Sequence, residues 1–190
     1  MHSHTRYLID RLKGVKLGMV AEVGVFKGDN AFGLMSNLDI GLFIGVDPYE
    51  RYPEFQNYLR QRGVVARADL KVVKRDMLLK MKPFGSRFML LQEYSVVAAA
   101  QYENESFDFV FIDGNHTKKY VLTDIEEWFP KVKVGGVIAG HGYIDRPKYG
   151  VIEAVNELLP DHEHSKKGAN VWWYRKGTGN EFFWHKYKFD

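Results

Sequence analysis

Asp113 and His116 stand three residues apart, just past the apolar run Phe107–Ile112. An acid and a histidine that close together can share proton transfer, because imidazole titrates near neutral pH. They could equally serve as oxygen and nitrogen ligands of a divalent metal. Asp113-Gly114-Asn115 is also ordinary turn chemistry, so both readings stay open. His141 sits among glycines in Gly135-Gly-Val-Ile-Ala-Gly140-His141-Gly142-Tyr143. Placed at a neighbouring strand tip, it would face the same crevice as Asp113; otherwise it is a structural histidine.

A second set of residues suits binding. Glu22-Val-Gly24-Val-Phe26-Lys-Gly28 carries an apolar run through an acid into a tight, glycine-flanked turn. Glycine serves where φ must be positive or a ligand must approach the backbone closely. The spacing is Glu-x-Gly-x-x-x-Gly, not the Gly-x-Gly-x-x-Gly of dinucleotide folds. It therefore points away from a pyrophosphate and towards a ligand with a cationic centre and a ribose. Asp47, followed by Pro48 and Tyr49, ends the next apolar run, where one carboxylate can accept from two vicinal ribose hydroxyls. A plain Asp-Pro turn is its alternative. Glu93-Tyr94-Ser95 ends a third run and could meet an adenine edge and face, or Ser95 could simply cap a helix. Asp76 competes for the adenine role but falls within a helical stripe, where a solvated acid is expected.

These residues need a sheet to align them. Five apolar runs read as strands buried on both faces: Met19–Val23, Leu42–Val46, Phe88–Gln92, Phe107–Ile112 and Val137–Ala139. Helical patterns alternate with them, the mark of a parallel α/β sheet. Leu70, Val73, Met77 and Met81 form one stripe, Leu122, Ile125, Phe129 and Val132 a second ending near Pro130, and Val151, Val155 and Leu158 a third. Glu163–Ser165 and Val171–Arg175, joined through Lys-Lys-Gly, predict a hairpin with an antiparallel strand.

With 190 residues and no repeat or linker, one domain over 1–190 is expected. The net charge of +3 has no basic block behind it, so no specific nucleic-acid partner is expected. The absence of cysteine excludes disulfides and thiolate metal sites. No signal-like start or spanning apolar run stands out, so a cytoplasmic protein without a membrane partner is expected. The tail, Glu181–Asp190, holds five aromatics. It reads as a last core or edge element, or as an exposed patch that joins two copies into a homodimer.

Together these motifs resemble the class I S-adenosylmethionine-dependent methyltransferases. The resemblance is narrower to the methyltransferase domain 24 family, with macrocin- and catechol-type O-methyltransferases as distant relatives. It runs from about Val20 to Tyr174 and rests on Glu-Val-Gly-Val-Phe-Lys-Gly, Gly-Val-Asp-Pro-Tyr, Ser-Phe-Asp-Phe-Val-Phe-Ile-Asp-Gly-Asn-His, Gly-Gly-Val-Ile-Ala-Gly-His and Val-Trp-Trp-Tyr. It implies a Rossmann-like, doubly wound, mostly parallel seven-stranded sheet with an antiparallel C-terminal hairpin. It further implies a cofactor held by Glu22, Gly24, Phe26, Gly28, Asp47, Pro48, Tyr94, Ser95 and Asp113. His116 would act as base on the hydroxyl of a small molecule or sugar, with His141 next and Asp113 as orienting partner. The family usually reads Gly-His-Asp-Tyr where this chain has Gly140-His141-Gly142-Tyr143. Gly142 offers no side-chain oxygen, so a magnesium ion would have Asp113 and His141 alone at this corner. About fifteen residues precede the first strand, little room for a substrate-covering cap. Two rival readings remain: a non-catalytic binding or partner protein, and a nicotinamide-dependent oxidoreductase.

Overall fold

In four strands the last four residues are all buried, which requires helices on both faces of the sheet. The computed structural model describes residues 1–50, 69–165 and 168–177; the expectations for the Lys166-Lys167 link and the aromatic tail lie outside these. The elements run α1 (Ser3–Leu12), β1 (Lys16–Val23), α2 (Asp29–Asn37), β2 (Asp39–Val46), α3 (Leu70–Met81) and a 3-10 turn (Lys82–Arg87). There follow β3 (Phe88–Leu91), α4 (Ser95–Ala99), β4 (Phe107–Ile112), α5 (Lys118–Trp128), β5 (Val132–Gly140), α6 (Val151–Leu158), β6 (Glu163–His164) and β7 (Trp172–Arg175).

The sheet order is β3-β2-β1-β4-β5-β7-β6. β1 to β5 pair in parallel, and β7 runs antiparallel to both β5 and β6. This is the seven-stranded, mostly parallel sheet with a terminal hairpin that the sequence predicts. Strand order reverses between β1 and β4, the switch point where such sheets open a crevice.

Two cores flank the sheet. On one face Leu8 of α1, Leu34 of α2 and Met77 of α3 join Val20, Phe43 and Phe109. On the other, Ala98 of α4, Ile125 of α5 and Val155 of α6 join Ala21, Ile44 and Val110. Met77 and Met81 of the first helical stripe are buried, with Leu70 and Val73 packed beside them. Asp76 is exposed and paired with Arg75, as a solvated helical acid should be. Among the described residues no helix is long and apolar enough to cross a membrane.

The start of β5 departs from expectation. Val132 does not close the α5 stripe; it begins β5, which starts five residues before the predicted Val137. Pro130 cannot continue a helix. Between Val132 and Val137 the pairing with β4 shifts register, and Gly135 there takes a φ of 80°. The kink splits the apolar run, which hides the early part of the strand from a simple count.

Ser95 ties α4 to α5. Its hydroxyl accepts from the Trp128 indole N–H at 2.9 Å and also hydrogen-bonds the Asp124 carboxyl. No side chain caps α4, so the capping reading of Ser95 gives way to this buried link. Burial pushes the Asp124 carboxyl up to about 7, with the Ser95 bond opposing. A carboxyl whose pKa is higher folded than unfolded takes up a proton on folding, so stability falls as pH rises between about 4 and 7. Asp124→Asn should flatten this loss and raise the melting temperature at pH 8 relative to pH 5. Thermal melts of both proteins across that range check it; an unchanged pH slope would place the loss elsewhere.

Candidate active site

The site begins with backbone bonds at the sheet's carboxyl edge. Just past its strand, Asp47 N donates to Leu91 O (3.2 Å), Gly24 N to Val46 O (2.8 Å), Asp113 N to Val23 O (2.8 Å) and His141 N to Ile112 O (3.0 Å). Each strand tip is thus fastened to its neighbour. Asp47, Gly24, Asp113 and His141 stand in one row across β2, β1, β4 and β5, astride the switch point.

At the β1–β2 end the turn is built around Asp47. Its Oδ2 accepts from Phe26 N (2.9 Å) and its Oδ1 from Tyr49 N (2.8 Å). The Tyr49 hydroxyl donates back to Phe26 O at 2.6 Å. Phe26 and Tyr49 both sit at positive φ, 42° and 50°, and Phe26 is exposed. Gly28, left-handed, opens α2 and closes the turn onto Val25 O at 2.7 Å. The Asp47 carboxylate is therefore aimed from two backbone donors. Burial raises its pKa, and those two bonds oppose the rise.

Gly24 has a local reason for lacking a side chain. At φ 90° its Cβ would lie 2.4 Å from the Asp113 carbonyl oxygen. It seats the β1 turn on the β4 tip, at the positive φ that is one of the two reasons expected for a glycine there.

Glu22 is buried beneath this turn. Its Oε1 accepts from Asn30 Nδ2 at 3.0 Å, while Oε2 has no partner. Burial drives its pKa well up, and the charges of Asp113 and Asp47 push the same way. Three carboxyls thus converge on the switch point. Beside them, Pro48 O accepts from Gln92 Nε2 (3.4 Å) and the Tyr94 hydroxyl donates to Glu50 Oε2 (2.8 Å), joining the β2 and β3 tips. Tyr94 is exposed there, whereas the Ser95 hydroxyl turns inward to Trp128.

At the β4–β5 end the structure brings Asp113, His116 and His141 together. Asp113 Oδ1 lies 3.2 Å from His141 Nδ1 and 3.5 Å from His116 Nε2. The His116 ring stacks on Tyr149 at 4.7 Å and hydrogen-bonds the Gly114 backbone. Nε2 is buried without a hydrogen-bond partner, which assigns the Gly114 bond to Nδ1–H. A neutral ring so fixed presents a bare lone pair at Nε2. Burial lowers the His116 pKa, with Asp113 opposing, which favours that neutral form. His4 of α1 lies 4.7 Å from the His141 ring, and burial lowers its pKa to about 4. α1, ahead of the first strand, thus sets His4 against His141 at this corner.

Residues 21–143 match the model of a family described as a methyltransferase domain. The chain belongs to that family. The methyltransferase family expected from the motifs is thus the one found, and the nicotinamide reading falls away. The chain is 26% identical over 150 residues to the uncharacterized protein R132 of Acanthamoeba polyphaga mimivirus, covering 76% of its own length. The chain spans only 61% of that relative's length. An SAH-bound Podospora anserina methyltransferase, PaMTH1, superposes with a TM-score of 0.64 at 16% identity, covering 93% of this chain and 80% of that one. An O-methyltransferase from Bacillus cereus in complex with SAH gives 0.61 at 14% identity, covering 90% and 79%. At such identities these likenesses establish the fold.

Sequence reasoning did not single out Asn30, Tyr49 or His4. Asn30 and Tyr49 had a readable signal, an amide and a phenol within one turn of the chosen motifs. His4 had none, since it reaches His141 only through the packing of α1.

Gly24→Ala should destabilise the fold by about 3 kcal/mol, because a methyl would meet backbone in a positive-φ position. Urea denaturation checks this; a loss below about 0.5 kcal/mol would mean the two tips are not in contact.

Proposed function

We propose that this methyltransferase moves the methyl group of S-adenosylmethionine to an oxygen acceptor, a hydroxyl of a small molecule or sugar. The observation that carries the reading is the convergence of Glu22, Asp47 and Asp113 on the switch-point turn. Glu22, whose pKa burial drives well up, supplies a polar wall rather than charge, and the Asp47 and Asp113 carboxyls beside it suit a ligand bearing a sulfonium and an ammonium group. The partnerless Oε2 of Glu22 is the unsatisfied group that such a ligand, or a water beside it, would complete.

The residues present fit the cofactor. Asp47, aimed by the Phe26 and Tyr49 N–H groups, would take the ribose hydroxyls. The Gly24–Gly28 turn would carry the methionine portion, and the exposed Tyr94, bonded to Glu50, would flank the adenine. When bound, S-adenosylmethionine supplies a methyl already made electrophilic by its sulfonium, so the chain's task is alignment and proton removal. The Asp113–His116–His141 corner supports the second task. The lone pair of His116 Nε2 stands beside a carboxylate that can stabilise an imidazolium. His141 is the neighbouring nitrogen on the same carboxylate.

The non-catalytic reading drew on Gly142 and on the lack of a cap. The first motive weakens, since His116 fills the space beside Gly142.

Calorimetry with S-adenosylmethionine and with SAH should show binding to the intact chain, weakened at least about 10-fold by Asp47→Ala, which removes a charge-assisted pair of hydrogen bonds. No binding of either compound would overturn the proposal. His116→Ala should lower single-turnover methyl transfer by roughly 10²-fold or more. Its cofactor affinity should stay within about 2-fold of the parent protein. Unaltered turnover would remove His116 from the reaction.

A further inference from the structure

The Asp113–His116–His141 cluster bears on how this corner handles its acceptor. The three side chains each bring one ligand atom, all within 4.8 Å of one another. Two of the edges, 3.2 Å and 3.5 Å, are close to the roughly 3–3.5 Å separating two donors that share an ion at about 2.0–2.1 Å. No proton lies on Nε2 of His116 in the neutral tautomer that the Gly114 bond dictates. Its lone pair then faces the lone pairs of Asp113 Oδ1, an arrangement that only a proton or a cation between them makes favourable. The opposite ring nitrogen, held by a backbone carbonyl, is the outer contact that fixes a metal-bound imidazole in orientation and tautomer. Tyr149 stacked on the ring, and Gly150 N donating to His116 O at 2.9 Å, restrain it further.

Gly142 explains why the third donor is a histidine. At φ 82° its Cβ would stand 1.9 Å from His116 Cδ2 and 2.5 Å from Nε2. No side chain at 142 is compatible with the imidazole where it lies. The ring from the β4 loop therefore occupies the volume that a residue on the β5 loop would otherwise fill. The exchange gives the corner two nitrogens and a single carboxylate.

We infer that this corner is a site for a divalent first-row transition ion, such as zinc, held by Asp113 Oδ1, His116 Nε2 and His141 Nδ1. Magnesium does not fit the donor set, because it demands octahedral oxygen ligands and keeps its waters. Imidazole nitrogen with one carboxylate suits zinc, iron, cobalt or nickel. The three side chains are 18–27% exposed, so further coordination positions open to solvent and to an acceptor. An ion there would take the lone pair of His116 and so replace its part as direct base: it would polarise a hydroxyl oxygen and lower its pKa, the proton leaving to solvent. The inference rests on the methyl-transfer reading for its purpose, though not for its test.

The test uses the intact chain, stripped of metal with a chelator and titrated with Co²⁺ while the visible absorption is followed. One equivalent should bind and give ligand-field bands. Zn²⁺ should displace it stoichiometrically, and millimolar Mg²⁺ should not. His116→Ala and Asp113→Asn should each weaken Co²⁺ at least about 100-fold, a first-ligand loss exceeding the 10–100-fold typical of supporting contacts. His164→Ala, which removes an exposed histidine from β6, should leave it unchanged. His141→Ala provides a second imidazole variant should His116→Ala fail to fold, as judged by its melting curve. Absence of one-to-one binding, binding that survives loss of His116 or His141, or displacement by equimolar Mg²⁺ would each overturn the site. SAH calorimetry on the same samples separates the two readings. SAH binding without Co²⁺ binding removes the metal alone and leaves His116 as a direct base, whereas Co²⁺ binding without SAH binding removes the methyl-transfer reading alone.

Discussion

Four backbone hydrogen bonds across the carboxyl edge hold the chemistry of this protein in one row. Each joins the first residue beyond one strand to the last residue of its neighbour, so Asp47, Gly24, Asp113 and His141 cannot move apart without opening the sheet. The strands behind them are buried on both faces, where an unpaired backbone group is costly, so the edge inherits the rigidity of the core. Such a frame places side chains to the tolerance that alignment of reacting atoms needs.

Within the frame, the two ends differ in kind. The β1–β2 end is carboxyl-rich and shaped by backbone donors, with Asp47 between Phe26 and Tyr49 and Glu22 beneath. The β4–β5 end is nitrogen-rich, two imidazoles around one carboxylate, with a third ring from α1 against them. The first end offers carboxyl oxygens and the second imidazole nitrogens. The contact of Gly24 with Asp113 couples the ends: the turn that shapes one is seated on the strand tip that supplies the acid of the other.

Gly142 and His116 share one volume at this corner. A left-handed glycine on β5 and a histidine on the β4 loop are one feature in space, since neither tolerates a replacement of the other's volume. Read separately, the glycine is a lost oxygen and the histidine an isolated base. Read together, they are one packing contact.

Much of the fold was legible because its physical causes are local. A strand buried on both faces must be a continuous apolar run, and Phe107–Ile112 reads at its observed bounds. An acid directly after such a run must stand at the edge, which places Asp47 and Asp113. The early start of β5 was not legible, because a kink at Gly135 interrupts its pattern. Neither was the turning of Ser95 towards Trp128, which depends on a helix that begins 23 residues later. Residue types and their order along the chain thus determined the sheet, its edge and the acids upon it. Tertiary packing alone decided that His4 reaches His141 and that His116 fills the space beside Gly142, because volume is shared between segments that are distant in sequence.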